Sequence, residues 1–228
     1  MDEGLIEYLS RFVTPERRNN FSRVINFRTR YFTVVLEDIY QSHNASAVLR
    51  SCDCFGIQDV HIIENRNDYN INPDVTLGSN KWLTIHRHNQ KENNTIDTIN
   101  DLRKNNYRII ATSPHEKKEI KIENFDLTRG KAAFIFGSEL KGISDAVKDE
   151  ADEFLNIPMY GFTESFNISV SAAIVLHDLV TKLHRSEILW QLTETEKQEI
   201  IFNWLKNTIK YPELLEIEYY QSINHRKK

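Results

Sequence analysis

The sequence predicts an α/β domain, a mostly parallel sheet with helices on both faces. Three observations carry this. Short β-branched and apolar runs alternate with segments whose apolar residues recur at steps of three and four. The runs 33–38 and 59–63 flank a helical segment ending near Phe55, a strand–helix–strand unit whose crossover implies parallel pairing. Near the other end, the short apolar strand starting at Phe154 stops at Pro158 and leads through a polar loop into a helix. Ile168, Ala172, Val175, Leu176, Leu179 and Leu183 mark that helix's apolar face.

The elements follow in order. Thr33-Val-Val-Leu-Glu-Asp38 is β-branched and apolar, hence a strand. After Ser42-His43-Asn44, residues 45–55 are helical, and Gly56 suits the left-handed turn that ends a helix. Residues 59–63 are the next strand. Residues 65–95 are polar, with a loop expected at 77–81 and a short strand at 82–86. Residues 95–102 have helical spacing, with Thr95 as the expected cap. Strands follow at 108–112 and 132–136, then a helix at 145–150 and the strand at Phe154. Gly161 is expected to allow an unusual backbone, and Ser165 and Asn167 to introduce the last domain helix. Beyond it, Ile200, Ile201, Trp204, Leu205 and Ile209 form an amphipathic pattern, broken at Pro212. A short helix at 214–220 and a basic tail at 225–228 complete the reading. The organisation expected is a basic helical arm (1–29), an α/β domain (30–185) and a helical extension (186–228).

The 228 residues suffice to bury a sizeable core, and 40% hydrophobic with 27% charged residues is a soluble, globular composition. No apolar run approaches a membrane span, and the acidic opening Met1-Asp2-Glu3 is unlike a signal peptide. Two cysteines, Cys52 and Cys54, give no disulfide framework and fit a reducing cytoplasm. The formal charge of −4 makes any nucleic-acid contact a matter of local patches. One such patch runs from Arg11 to Arg30, with six arginines against Glu16. Arg17, Arg18 and Arg23 are its candidate RNA contacts, since arginine grips phosphate and stacks on bases. The alternative is a solvated arm packing its phenylalanines on a core.

In a parallel sheet, ligands sit outside the carboxyl ends of the strands. Three polar loops leave such ends here, after Ala111, Phe136 and Ile157, and lie side by side if their strands are neighbours. Gly137-x-Glu139-x-x-Gly142 reads either as a close-approach ligand loop or as a plain glycine turn. Gly-x-Gly-x-x-Gly and P-loop motifs are missing from the sequence, which counts against dinucleotide and P-loop sites. Cys52 and Cys54 point about 200° apart on a helix, and His86 and His88 alone are weak ligands, so no metal is expected. Asn44 and Arg50 converge only if Asn44 precedes the helix. Arg50 then faces a phosphate or a partner chain, or else forms a surface ion pair with Asp53 or Glu37.

Three motifs in order resemble the SPOUT superfamily, specifically its SpoU (TrmH-like) RNA 2′-O-ribose methyltransferases: Asn44-Ala-Ser-Ala-Val-Leu-Arg50, Phe136-Gly-Ser-Glu-Leu-Lys-Gly-Ile-Ser144, and Ile157-Pro-Met-Tyr-Gly161 with Ser165-Phe-Asn-Ile-Ser-Val-Ser171. Gly78-Ser-Asn-Lys-Trp82, the arginine-rich arm and the helical extension are similar to the branch that methylates tRNA guanosine. The rRNA enzymes usually carry a separate N-terminal RNA-binding domain, for which this chain has no room. The resemblance implies a trefoil knot, a homodimer and S-adenosylmethionine bound by the loops at Thr112, Gly137, Ile157 and Phe166. The family usually has Leu where Phe166 stands, so a differently shaped adenine pocket is expected. It also implies catalytic roles for Arg50, Asn44, Glu139, Ser165 and Asn167. Arg50 would stabilise the developing alkoxide, because an arginine is almost never a base. Asn44 would position the ribose, and the other three would shape the loops. The expected activity is 2′-O-methylation of a D-loop guanosine, position 18, of tRNA in the cytoplasm, with neither DNA nor membrane as partner. The same reaction on 23S rRNA, or RNA binding without turnover, are the alternatives.

Overall fold

The computed structural model describes residues 2–113 and 119–226, the last three by their helical backbone. In chain order the elements are α1 (Glu3–Ser10), α2 (Pro15–Val24), β1 (Phe32–Glu37), α3 (Ser42–Cys54), β2 (Asp59–Ile63), α4 (Pro73–Thr76), β3 (Thr84–His88), α5 (Thr95–Lys104) and β4 (Arg108–Thr112). They continue with β5 (Glu119–Lys121), β6 (Ala132–Phe136), α6 (Asp145–Glu150), β7 (Glu153–Asn156), α7 (Ile168–Arg185), α8 (Glu194–Thr208) and α9 (Pro212–Arg226). Two compact units result, one of residues 29–190 and one joining 1–28 to 191–228.

The larger unit is a seven-stranded sheet in the order β3-β2-β1-β6-β4-β7-β5, parallel at every pairing. Its central strands are apolar on both faces because both faces are covered. Phe32, Val34 and Leu36 of β1 join Phe134 and Phe136 of β6 under α3 and α7. Val35, Ile109, Ala111, Ala133 and Ile135 point the other way, under α5 and α6. Each large apolar side chain fully buried here contributes roughly 1.5–3 kcal/mol, so β1, buried at all six positions, is the anchor of the unit.

Several expectations are corrected. The helix after β1 begins at Ser42, with Gln41 as its cap, so Asn44 lies inside α3 rather than before it. Asn94, not Thr95, caps α5, because the Thr95 hydroxyl is spent on the buried Glu37 carboxylate at 2.7 Å. The strand expected at 82–86 is β3, two residues later. Strand β5 carries no strand pattern in the sequence: it has three residues, one of them apolar, at the sheet's edge. Gly161 has no positive φ and nothing nearer than 4.0 Å to a would-be Cβ, so the backbone does not require it. Pro212 opens α9 instead of merely ending α8, and α9 runs well past 220. Lys227 and Lys228 of the basic tail, like Pro114 beyond β4, lie outside the described residues.

In the smaller unit α1 packs on α8 and α9. The buried Trp204 of α8 takes the Phe21 ring at 5.3 Å and the Arg28 guanidinium at 5.4 Å. Thr193 and Glu196 cap the start of α8 reciprocally.

Candidate functional site

Strands β6, β4 and β7 are neighbours, so the loops leaving their carboxyl ends meet. They enclose a cavity of about 670 Å³, within the range usual for small-molecule sites. Thr112, Gly137, Ile157 and Phe166, the four residues expected to hold a cofactor, all line it. So do Glu139, Ser165 and Asn167.

The loop after β6 explains its glycines. Ser138 and Gly142 exchange backbone hydrogen bonds at 2.9 and 2.8 Å, closing a tight antiparallel turn. A Cβ on Gly137 would lie 2.1 Å from the Gly142 carbonyl carbon, so any side chain there breaks the turn. Gly142 sits at φ +66°, the left-handed region that glycine tolerates. The close approach is therefore made by the loop to itself.

Beneath it Glu37, at the end of β1, is buried. Its carboxylate accepts from the Ser144 N–H at 2.9 Å and from the Ser144 and Thr95 hydroxyls at 2.7 Å each. Glu37 thus fixes the end of the glycine loop to α5, and is not the partner of Arg50. Ser144 in turn caps α6.

Glu139 reaches the opposite way. It accepts from the Tyr40 and Gln41 N–H groups at 3.1 and 3.3 Å and from the Asn44 Nδ2 at 2.8 Å. The Asn44 Oδ1 accepts from the Asn167 Nδ2 at 3.2 Å, while the Asn167 Oδ1 takes the Ser169 N–H and hydroxyl as the cap of α7. One chain of side chains, Glu139–Asn44–Asn167, therefore ties three loops together. Both ends of the Asn44 amide are engaged and its orientation is fixed by them.

Arg50 is not brought to this cavity. It is exposed, six residues beyond Asn44 on the same helix, roughly 240° around the axis. Among the described residues no carboxylate pairs with it. It stands on the side of α3 away from Asn44, and a groove between α3 and α7, lined by Ala47, Phe55, Val170 and Ile174, opens on the outer surface of these helices. Of the arginine arm, Arg11 pairs with Glu7, Arg28 is buried, and Arg30 binds Asp59 at 2.8 Å. Arg17, Arg18 and Arg23 are exposed on α2.

Sequence reasoning missed other parts of the wall. Asn156, Met159, Glu164, Lys141 and Lys148 also line the cavity. Lys141 and Met159 lie within motifs already singled out and Asn156 adjoins one, which is the signal that could have found them. Lys148 lies on α6 and has no such marker. Among the described residues there is no group of three or more histidine, cysteine or acidic side chains that could hold a metal ion.

The donor set fits S-adenosylmethionine. The wall mixes apolar side chains (Ile157, Phe166) with backbone from the glycine loop, and Glu139 and Glu164 add carboxylates that suit a cationic ligand.

The model of the SpoU rRNA methylase family matches residues 31–177. A relative from Borreliella burgdorferi named tRNA (guanosine(18)-2′-O)-methyltransferase is 41% identical over 219 residues, spanning 95% of this chain and 98% of its own. The solved Aquifex aeolicus TrmH/SpoU tRNA modifying enzyme superposes with a TM-score of 0.76 at 25% identity, covering 86% of this chain and 98% of that one. The Streptomyces viridochromogenes SpoU methyltransferase AviRb, solved with AdoMet, shares the fold with a TM-score of 0.58 at 20% identity, over 72% and 62% of the two chains.

Proposed function

This chain belongs to the SpoU rRNA methylase family, and we propose that it methylates the ribose 2′-hydroxyl of guanosine 18 of tRNA. The observation that carries the reading is the convergence of the loops after β4, β6 and β7 on one cavity lined by all four expected cofactor residues. S-adenosylmethionine, when bound there, supplies a methyl group on a positively charged sulfur. Thr112, Gly137, Ile157 and Phe166 hold it. We place the trefoil knot of the SPOUT fold in the segment that carries these loops.

A ribose hydroxyl is a poor nucleophile at neutral pH. The protein must align it and lower the cost of its developing negative charge. Arg50 is the group proposed to do this, as a fixed cation. In a single chain it lies away from the cavity, which supports a homodimer in which a second copy delivers Arg50. The apolar groove between α3 and α7 supports the same arrangement. Asn44 acts here by positioning: its amide is consumed in holding Glu139 and Asn167, so it sets the loops that receive the ribose. Arg17, Arg18 and Arg23 contact the tRNA backbone. A tRNA substrate and two cysteines that form no disulfide with each other agree with a cytoplasmic setting.

Incubation with total tRNA and labelled S-adenosylmethionine, followed by nucleoside mapping, tests the reading. Label in 2′-O-methylguanosine at position 18 is expected. Label confined to rRNA would transfer the assignment to that substrate, and absence of transfer with RNA binding intact would leave a non-catalytic binder.

A further inference from the structure

We propose that Tyr160 and Phe162 form a stacking platform for bases of the substrate RNA at the mouth of the cavity, a proposal that rests on the tRNA reading above. Both rings are almost completely exposed, 93% for Tyr160 and 107% for Phe162. Folding does not explain them, since neither ring is covered by the fold. Their location is specific. They sit on the loop between β7 and α7, and residues on both sides of them, Met159 and Glu164, line the cavity. The same loop therefore carries the cavity wall and, on its outer side, two bare aromatic rings.

The chemistry at this mouth supplies the occupant. For its 2′-hydroxyl to reach a methyl group inside the cavity, a nucleotide must leave the stack of its loop. The lost stacking has to be replaced, and aromatic rings replace it for any base, because every base has a flat π-face. Gly161 separates the two aromatic residues in the sequence. It has no positive φ, and only the Thr163 N–H nitrogen, at 4.0 Å, comes near a would-be Cβ. The backbone would accept a side chain there, so no steric demand of the fold selects glycine between the two aromatic residues. Tyr160 and Phe162 carry no charge, so their contribution to RNA binding releases no counterions.

Tyr160→Ala, Phe162→Ala and the double variant test this, with Tyr160→Phe and Phe162→Tyr as conservative controls. Each alanine variant is expected to raise KM for tRNA by about 10-fold or more, and the double variant further. The controls should restore it. Affinity for S-adenosylmethionine in the absence of RNA should stay within about twofold of the parent. The slope of log affinity for tRNA against log salt should be unchanged, because stacking involves no phosphate neutralisation. Unaltered KM in the double variant overturns the proposal, and so does a fall in cofactor affinity, which would make the rings a cover for the cofactor. A change of oligomeric state in size-exclusion chromatography also overturns it, by assigning the rings to an interface between copies. If the parent protein does not methylate tRNA at all, the substrate reading falls and overturns the platform with it, an outcome distinct from an unaltered KM in an active parent.

Discussion

Asn44 and Glu139 lie 95 residues apart in sequence and meet at 2.8 Å, the Asn44 amide donating to the carboxylate. That bond joins the first turn of α3 to the glycine loop, and Asn167 extends it to the start of α7. Removing either partner strands polar groups of the other loops. Asn44→Ala is expected to cost about 1.5–3 kcal/mol of loop order, the usual worth of a hydrogen bond to a charged group. S-adenosylmethionine affinity should fall by roughly 10-fold or more as a result, measured by titration calorimetry. Glu139→Gln, which keeps an acceptor for Asn44, should fall less than Glu139→Ala. Equal losses in the two Glu139 variants would mean that charge, not the tie, is what matters.

Gly137→Ala is the sharpest structural test of the loop. The added methyl meets the Gly142 carbonyl carbon at 2.1 Å, and backbone cannot yield as a flexible side chain can. The variant should stay folded, since β6 ends before it, but lose cofactor binding by about 10-fold or more. Circular dichroism and cofactor titration together check this, and a variant that binds normally would show that the loop has another conformation.

Arg50→Ala is expected to lower kcat on the order of 10²–10³-fold with cofactor affinity unchanged. Arg50→Lys should recover part of it, because a charge remains but the planar fork does not. The origin of Arg50 can be read by mixing. If a second copy supplies it, combining Arg50→Ala with Gly137→Ala after reversible dissociation leaves roughly one site in four intact. Should the mixture remain as inactive as its components, Arg50 serves its own chain.

How much of this was legible in the sequence depends on what kind of force fixes each part. Strands β1, β4 and β6 are legible because they are buried on both faces and most of their residues are apolar. The adjacency of β6, β4 and β7 makes their three loops a site, and the motifs at Gly137 and Asn167 mark it. Helix α3 begins earlier than its sequence suggests because Gln41 offers no side-chain cap, so nothing in the local sequence separates Ser42 from the loop. That small difference carries a large consequence: with Asn44 inside the helix, Arg50 turns away. Glu37 is a tertiary matter altogether. Its partners Thr95 and Ser144 are 58 and 107 residues distant, and a lone carboxylate at a strand end gives no hint of them.

The arm makes a prediction about salt. Arg17, Arg18 and Arg23 are exposed, and each phosphate they neutralise releases counterions. Replacing all three with glutamine should weaken tRNA binding and reduce the slope of log affinity against log salt by about 2–3. Filter binding between low and physiological salt checks it. An unchanged slope would leave these residues as a solvated helix face.

Stability should fall on mild acidification because of His61. Its ring stacks on His86 with centroids 4.5 Å apart, and its Nδ1 lies 3.0 Å from the His88 Nε2. Burial, followed by the neighbouring charges of His86 and His88, lowers its pKa to about 3. Burial lowers His88 as well, against the pull of Asp101. The unfolded chain, with histidine near pKa ~6.5, takes up the proton first as pH falls. Stability contributed by neutral His61 is therefore complete above about pH 6.5 and is lost progressively towards pH 3, by roughly 2 kcal/mol at pH 5. Asp59 also faces the group. Burial raises its pKa, but His86 and Arg30 outweigh that and hold it low, so its own loss begins only at more acid pH. His61→Phe keeps a flat ring and removes the titration. Its melting temperature should change less than the parent's between pH 7 and pH 5, and parallel curves would assign the acid sensitivity to another group.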